Sequence, residues 1–257
     1  MKWIIITIIS AGILSLACSN RTKNKEVKPK TAKSMAGKFT PVVVLELFTS
    51  EGCSSCPSAD NLLPQLAKLD AAVIPLSFHV DYWNRLGWKD PFSSAEYSYR
   101  QREYGQHFNN DGVYTPQLVV NGEYEMVGSD SRKAEAAIKK VLKENSSVIL
   151  SVEKQIKDGN KIKITSHAEG ELNKQTLEVA LVQKNATMDI KAGENRGEKL
   201  SHTNVVRVLK IQELNETNET SFTIPSGLAD SNWDIVLFTR NKSDLKITGA
   251  IVYSPAE

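Results

Sequence analysis

The sequence PVVVLELFTSEGCSSCP occupies residues 41–57 and joins an apolar run to a pair of closely spaced cysteines. The near-continuous apolar run over residues 42–48 predicts a strand that is buried on both faces of a sheet. Cys53 and Cys56 follow at the predicted start of a helix, where unpaired N–H groups and the helix dipole favour a Cys53 thiolate. Cys56 lies one turn later, close enough to attack a mixed disulfide formed by Cys53. The pattern therefore predicts a redox dithiol.

Two other interpretations of this cysteine pair stay open. A purely structural disulfide that closes so short a loop contributes only about 2 kcal/mol, against about 4.7 kcal/mol for a loop of a hundred residues. A zinc site needs four ligands, and the sequence has no second cysteine pair to supply them. We therefore expect no metal ion and no cofactor.

The N-terminus has the pattern of a secretory signal. Lys2 precedes an apolar run over residues 3–17 that is too short to span a bilayer comfortably. The run ends in Leu-Ser-Leu-Ala-Cys at residues 14–18, which resembles the lipobox of bacterial lipoproteins and predicts Cys18 as the lipid attachment site. The chain has three cysteines, so a lipid on Cys18 would leave Cys53 and Cys56 as a pair. A cleaved signal that discards Cys18 is the alternative.

Residues 19–40, which follow this signal segment of residues 1–18, are rich in Lys, Asn and Thr. Residues 19–38 carry seven basic side chains against one acidic side chain, so a flexible basic tether is predicted. The rest of the chain shows no basic face with interleaved aromatic residues, which argues against a nucleic acid partner.

Two kinds of pattern follow the tether and predict two domains, residues 41–146 and 147–257. In the first, a strand at residues 72–79 follows the dithiol helix and gives a right-handed β-α-β unit. An aromatic-rich segment over residues 80–112, an Asn-Gly hairpin at residues 121–122 and an amphipathic helix over residues 131–142 complete it. In the second, helical patterns vanish and seven short strand patterns predict an antiparallel β-sandwich.

The order of the first domain resembles the thioredoxin fold. The resemblance is carried by the dithiol at Cys53 and Cys56 and by the segment Val-Tyr-Thr-Pro-Gln-Leu-Val-Val-Asn-Gly at residues 113–122. It implies that Pro116 is cis and packs against the dithiol, and that Thr115 offers backbone groups to the substrate chain. The predicted fold class is therefore an α/β thioredoxin-like domain followed by an all-β antiparallel sandwich domain.

Several longer motifs resemble the domain-of-unknown-function 1223 family. They are Phe-Thr-Ser-Glu-Gly-Cys-Ser-Ser-Cys-Pro at residues 48–57, His-Val-Asp-Tyr-Trp at residues 79–83 and Glu-Asn-Arg-Gly-Glu at residues 194–198. The resemblance covers about residues 41–257. It implies a secreted thioredoxin-like domain followed by a β-rich domain, and it implies no assigned activity.

Three residues are candidates for proton transfer at the dithiol. Glu46 lies in the first strand, where a comparable acid in thioredoxins accepts the proton of the second cysteine; a structural, salt-bridged Glu46 is the alternative. His79 and Asp81 follow the second strand at the edge where α/β sites gather, and a structural role for His79 stays open. Cys53, Cys56 and His79 match copper carriers of this fold poorly, because those space their cysteines more widely.

The aromatic segment over residues 80–112 has two interpretations. It is an inserted subdomain with its own small core, or it forms a peptide groove over the dithiol. The inserted subdomain is the simpler interpretation, and the peptide groove is the functional alternative.

Together these patterns predict an enzyme of the bacterial cell envelope, lipid-anchored or secreted, that exchanges thiols and disulfides on proteins. Cys53 is the predicted nucleophile and Cys56 the resolving thiol. The partners are protein thiols or disulfides in the envelope, and the membrane through the lipid anchor. The alternative is a thioredoxin-like binding or assembly module without catalysis, which the β-rich second domain favours.

Overall fold

The computed structural model describes residues 26–27, 39–228 and 232–255. The predicted signal segment, Cys18 and most of the predicted tether lie outside these residues. Glu26–Val27 forms a two-residue strand, β1, that pairs with Ile156 and Gln155, so this part of the predicted tether is paired to the fold. Across the described ranges, no helix has the length and apolar character needed to cross a membrane.

The first half of the chain is a mixed α/β unit. Its central strand runs parallel to the strand that follows the dithiol helix, and antiparallel to the first strand of the Asn-Gly hairpin. The elements are β2 (Val43–Thr49), α1 (Cys56–Leu66), β3 (Val73–His79), α2 (Ala95–His107), β4 (Gln117–Val120), β5 (Tyr124–Val127) and α3 (Ser131–Val141).

The hairpin prediction is confirmed at the turn between β4 and β5. Asn121 and Gly122 both have positive φ, 51° and 71°, as a two-residue turn of this type requires. A Cβ on Gly122 would lie 2.0 Å from the carbonyl oxygen of Leu245, so only glycine fits there. The turn therefore also fixes how closely the second half of the chain approaches the first.

The second half is an antiparallel β unit, and all seven predicted strands are present. A four-stranded sheet has the order β1-β6-β7-β10, and its apolar face packs on β8 and β11 through a shared core that includes Leu150, Ile164, Leu181 and Trp233. The strands are β6 (Val148–Asp158), β7 (Lys161–Gly170), β8 (Gln175–Asp189), β9 (Lys199–Glu213), β10 (Thr217–Thr223), β11 (Trp233–Asn241) and β12 (Ile247–Tyr253).

One eight-stranded sheet runs through both halves in the order β12-β11-β8-β9-β3-β2-β4-β5. The halves meet where β9 lies parallel to β3, at the pair Ser77 and Val205. The predicted domain boundary between residues 146 and 147 therefore falls inside a fold whose main sheet is shared. Because β8 and β9 are both 15 residues long, their connecting loop reaches the end of β2 that carries the cysteines.

The two faces of β2 are covered by different helices. Val43, Leu45 and Leu47 face α1 and α3, because alternate residues of a strand point to opposite faces. Val44 and Phe48 face the other way, into a core that contains Tyr97 and Tyr104 of α2. The aromatic segment therefore covers the main sheet, and the expectation of a separate small core for it is wrong.

Candidate active site

The dithiol lies in the tight turn between β2 and α1. The N–H of Cys53 donates to the carbonyl of Ser50 at 3.1 Å, and the N–H of Cys56 donates to the carbonyl of Cys53 at 3.2 Å. Helix α1 begins at Cys56 with Ser55 as its N-cap and Pro57 in its first turn, where a missing N–H costs least. Both cysteines are free thiols and both are buried, Cys53 to 1% exposure.

The environment separates the two thiols strongly. A hydrogen bond from the Cys56 thiol lowers the pKa of Cys53 to about 6; burial opposes this, and the side chains of Ser55 and Thr115 support it. Burial raises the pKa of Cys56, and the Cys53 thiolate beside it raises it further. At neutral pH Cys53 is therefore mostly a thiolate and Cys56 remains a thiol.

Thr115 and Pro116 lie against the dithiol. Their peptide bond is cis, as the resemblance to thioredoxins implies. The carbonyl oxygen of Thr115 is 3.8 Å from Cys53 Sγ and 3.4 Å from Ser55 Oγ. The Thr115 hydroxyl accepts a hydrogen bond from the indole N–H of Trp83 at 2.8 Å. The aromatic segment therefore holds Thr115 in place beside Cys53.

Tyr82 brings a second aromatic side chain to this edge. Its hydroxyl donates to Gln101 of α2 at 3.1 Å. Burial raises the pKa of Tyr82 to about 12; its hydrogen bonds with Thr115 and Gln101 oppose this rise, and both cysteines add to it. Tyr82 and Trp83 are only partly buried, so they offer apolar surface beside the dithiol.

A buried cluster of acids and a histidine lies behind the dithiol. His202 of β9 places Nε2 at 3.4 Å from Glu51 Oε1 and Nδ1 at 3.7 Å from Asp60 Oδ1. Burial lowers the pKa of His202, but Asp60 and Glu51 outweigh it and raise the pKa to about 9. His202 is therefore an imidazolium between two carboxylates at neutral pH.

Glu51 and Asp60 are held from their other sides. Trp88 donates its indole N–H to Glu51 Oε2 at 2.8 Å. The hydroxyl of Thr49, at the end of β2, donates to Asp60 Oδ2 at 3.1 Å. In each acid, one carboxylate oxygen therefore accepts a hydrogen bond from the first half of the chain, and the other oxygen faces His202.

His79 joins this cluster from β3. Its Nδ1 lies 2.7 Å from Asp90 Oδ2, and the same oxygen accepts the N–H of Glu51 at 3.0 Å. The His79 ring meets the His202 ring edge to face, with centroids 4.7 Å apart. His79 therefore contacts this cluster through the His202 ring, and Asp90, which lies in a family-like motif but had no predicted role, orients it.

The loop between β8 and β9 binds the cysteine turn directly. Asn195 donates from Nδ2 to the carbonyls of Glu51 at 2.8 Å and Cys53 at 2.9 Å. Glu194 accepts the N–H of Ser54 at 3.0 Å, which lowers the pKa of this exposed carboxyl. The β-rich half therefore binds the backbone of the turn that carries Cys53.

Two of the three predicted proton-transfer residues lie elsewhere. Glu46 sits on the face of β2 opposite α1, where Arg100 donates to it at 2.6 and 3.0 Å and Tyr104 at 2.6 Å. Burial raises the pKa of Glu46, but Arg100 and Tyr104 outweigh it, so the pKa is lowered and Glu46 is a structural carboxylate. Asp81 accepts the hydroxyl of Ser98 at 2.6 Å and anchors α2.

Sequence reasoning missed most of the cluster behind the dithiol. Glu51 and Asp60 are close to the cysteines in sequence, and that proximity was the available signal for them. Asn195 belongs to a motif that resembles the family, without an indicated contact. His202 lies in the same family-like segment, but a single histidine indicated no role there, and the pairing of β9 with β3 brings it to the site.

Comparisons with known proteins agree with this architecture. A family model described as "Protein of unknown function (DUF1223)" matches residues 44–239. A thioredoxin of Methanocaldococcus jannaschii is 30% identical over 101 residues, which are 39% of this chain and 96% of that protein.

Two solved structures share the fold over most of the chain. A crystal structure of a protein from Agrobacterium tumefaciens has 29% identity and a TM-score of 0.64, covering 86% of this chain and 97% of that one. HBP35 of Porphyromonas gingivalis has 18% identity and a TM-score of 0.57, covering 85% of this chain and 76% of that one, which shows likeness of fold alone.

Proposed function

Because the chain belongs to the DUF1223 family, which is described only as proteins of unknown function, we propose a function from the site itself: thiol–disulfide exchange on protein substrates. The observation that carries the proposal is the free dithiol, with a Cys53 pKa of about 6 and a raised Cys56 pKa. A purely structural pair needs no such separation. An exchange site needs one thiolate to attack and one thiol held back for release.

In the first step, the Cys53 thiolate attacks one sulfur of a substrate disulfide. A bond forms between Cys53 Sγ and that sulfur, the substrate S–S bond breaks, and the other substrate sulfur leaves as a thiolate. The leaving thiolate takes a proton from solvent. The helix N-terminus and the hydroxyl of Ser55, 3.3 Å from Cys53 Sγ, favour the thiolate that starts this step.

In the second step, Cys56 loses its proton and its sulfur attacks Cys53 Sγ. The Cys53–Cys56 disulfide forms, and the bond from Cys53 to the substrate breaks and releases a second substrate thiolate. Two electrons have passed from the dithiol to the substrate, which leaves reduced. The same steps in reverse oxidise a substrate dithiol, so the reduction potential of the pair decides the direction.

Thr115 and Pro116 are the proposed substrate-binding residues. The carbonyl of Thr115 faces Cys53, and Trp83 and Tyr82 extend the surface on that side. Aromatic side chains that are apolar with one polar end suit contact with a peptide chain. A protein substrate would cross this edge with its disulfide above Cys53.

The test is a trapping experiment. In Cys56→Ser the release step is missing, so mixed disulfides through Cys53 should accumulate and should be recovered after acid quenching, alkylation and non-reducing electrophoresis. Cys53→Ser is the matched control and should trap far less. Equal, negligible trapping by both variants, with Cys53 titrating at the free-thiol value of about 8.5, would overturn the proposal.

The low exposure of Cys53 favours a second function, a binding or assembly module that keeps the fold without turnover. The Asn195 contacts, which tie the cysteine turn to the β-rich half, support the same alternative. Such a module predicts unchanged partner binding in both cysteine variants. Partner binding that is lost together with trapping in Cys53→Ser would favour exchange instead.

We place this activity in the bacterial cell envelope, with a lipid on Cys18. The support is the predicted signal segment and the lipobox-like residues 14–18. Cys18→Ala should then yield an unprocessed or soluble protein. Unchanged mass and unchanged membrane fractionation in that variant would refute the anchor without touching the redox proposal.

A further inference from the structure

The release step needs a group that takes the proton of Cys56, and the buried cluster behind the dithiol contains one. Asp60 lies four residues after Cys56 on α1, so the two side chains share a face of the helix one turn apart. Both are buried, and the charge of Asp60 contributes to the raised pKa of Cys56, so the two groups interact. Glu46, the acid that the sequence suggests, lies behind the sheet.

From this geometry we propose that Asp60 accepts the proton of Cys56 and that His202, contributed by the β-rich half, is the positioning residue that holds the Asp60 carboxylate. The proposal rests on the proposed exchange function. It assigns the β-rich half a part in the chemistry of the dithiol.

Charge balance inside the fold favours Asp60 as the acceptor. Ionising Cys56 by loss of its proton to solvent would add a buried negative charge beside Glu51 and Asp60, which is costly. Transfer to Asp60 leaves the charge of the cluster unchanged. The proton leaves Cys56 Sγ for the Asp60 carboxylate as the Cys56 sulfur attacks Cys53 Sγ, and Asp60 returns it to solvent after release.

Several buried polar atoms of the cluster have no hydrogen-bond partner in the part of the chain that the structure describes, and one of them belongs to Asp60. Among the described residues, Asp60 Oδ1, Glu51 Oε1 and both ring nitrogens of His202 are buried and make no well-aligned hydrogen bond. The contacts of His202 with the two acids are therefore ion pairs at 3.4 and 3.7 Å. Within the described ranges, Asp60 Oδ1 makes no hydrogen bond and contacts the His202 ring at ion-pair distance, whereas Oδ2 accepts the hydroxyl of Thr49, so Oδ1 is the oxygen that would take the proton.

The titratable groups that face His202 come from four elements. Glu51 lies in the cysteine turn, Asp60 on α1, and His79 on β3 with Asp90 from the segment after it. A positive charge beside a carboxylate favours the ionised form of that carboxylate, and His202 is the cation in contact with Asp60. The pH dependence of release is therefore the property that His202 should control.

The experiment separates the two steps with 5,5′-dithiobis(2-nitrobenzoate) and the reduced full-length chain. Attack by Cys53 releases a first coloured thiolate, and attack by Cys56 on the resulting mixed disulfide releases a second. Stopped-flow absorbance gives both rates across pH. Asp60→Asn should leave the first rate within about twofold and slow the second about 10²-fold near neutral pH, the usual size of general-base catalysis.

In the parent, the second rate should rise with pH and then reach a plateau. In His202→Gln this rise should occur at higher pH, and the plateau rate should stay close to that of the parent. Glu135→Gln, a carboxylate-to-amide change on the solvent-facing side of α3, is the matched control and should change neither rate. Urea unfolding of each variant reports folding separately. The parent alone also tests the idea, because its second rate should level off at a pH where the thiol itself is not ionised.

The outcomes distinguish this inference from the function on which it rests. If the parent shows no first release, exchange itself fails and the proposal falls with it. If both releases occur but the second rate rises in proportion to hydroxide in the parent, or is unchanged in Asp60→Asn, the exchange function stands and Asp60 is not the acceptor. A second rate slowed equally at every pH in His202→Gln would overturn its positioning role.

Discussion

The buried imidazolium at residue 202 should make the stability of the fold depend on pH in a defined window. Asp60 and Glu51 raise the pKa of His202 from 6.5 to about 9 against the effect of burial. A histidine whose pKa is raised by folding stabilises the fold in its protonated form. The contribution is therefore complete below about pH 6.5 and is lost as the pH rises through about 9. Since each unit of pKa corresponds to about 1.4 kcal/mol, it amounts to about 3 kcal/mol.

The dithiol acts in the opposite direction over the same window and must be removed first. The pKa of Cys53 falls from 9.0 to about 6 on folding, so its thiolate adds stability as the pH rises. The comparison is therefore made in a Cys53→Ser/Cys56→Ser background. Urea unfolding between about pH 6 and 9.5, with linear extrapolation, gives the free energy of unfolding at each pH.

In the Cys53→Ser/Cys56→Ser protein, the free energy of unfolding should fall as the pH rises across this window. In the same protein with His202→Gln added, the fall should be smaller by about 3 kcal/mol. His107→Gln, the same change at an exposed position, is the matched control and should behave like the background. Parallel pH profiles with and without His202 would refute the argument, because they would mean that His202 is not charged between Glu51 and Asp60.

Three further predictions follow from the same structure. Alkylation of Cys53 by iodoacetamide should show a midpoint near pH 6, with Cys56 protected, as peptide mass spectrometry would report; a midpoint above pH 8 would contradict it. Arg100→Met should lower the free energy of unfolding by about 3–5 kcal/mol, because Glu46 and Glu178 lose their buried partner; urea unfolding checks this, and a loss below about 1 kcal/mol would count against it. Asn195→Ala should cost about 1–3 kcal/mol and speed proteolysis near residues 190–198, because two backbone carbonyls lose their donor; an unchanged cleavage rate would argue against this restraint.

Local sequence patterns were enough to predict the elements and much of the dithiol site. The buried strand, the helix after the cysteines, the Asn-Gly hairpin and the seven later strands are all present, because each depends on periodicity or turn chemistry within a short window. The lower pKa of Cys53 relative to Cys56 was also predictable, because Cys53 lies at the start of α1; their roles as nucleophile and resolving thiol remain a proposal.

The sequence did not determine on which face of a buried strand a given side chain lies. Two roles were open for Glu46, proton transfer at Cys56 or a structural ion pair, and the structure supports the second, because Glu46 lies on the other face of β2 with Arg100 and Tyr104. A strand buried on both faces carries no alternation of polar and apolar residues, so its sequence does not tell which face an acid takes. Asp81, a second candidate for proton transfer, lies after the end of β3, and its side chain accepts a hydrogen bond from Ser98 of α2.

The pairing of β9 with β3 explains why the rest of the site could not be predicted. It brings together Ser77 and Val205, which are far apart in sequence, and no turn or short loop fixes their register. Once it forms, His202 lies between Glu51 and Asp60, and Asn195 reaches the backbone of Cys53. On the other face of the sheet, Glu178 of β8 binds Arg100 of α2. The β-rich half thus supplies buried partners for charges on both faces of the thioredoxin-like half, so the two halves form one electrostatic unit around the dithiol.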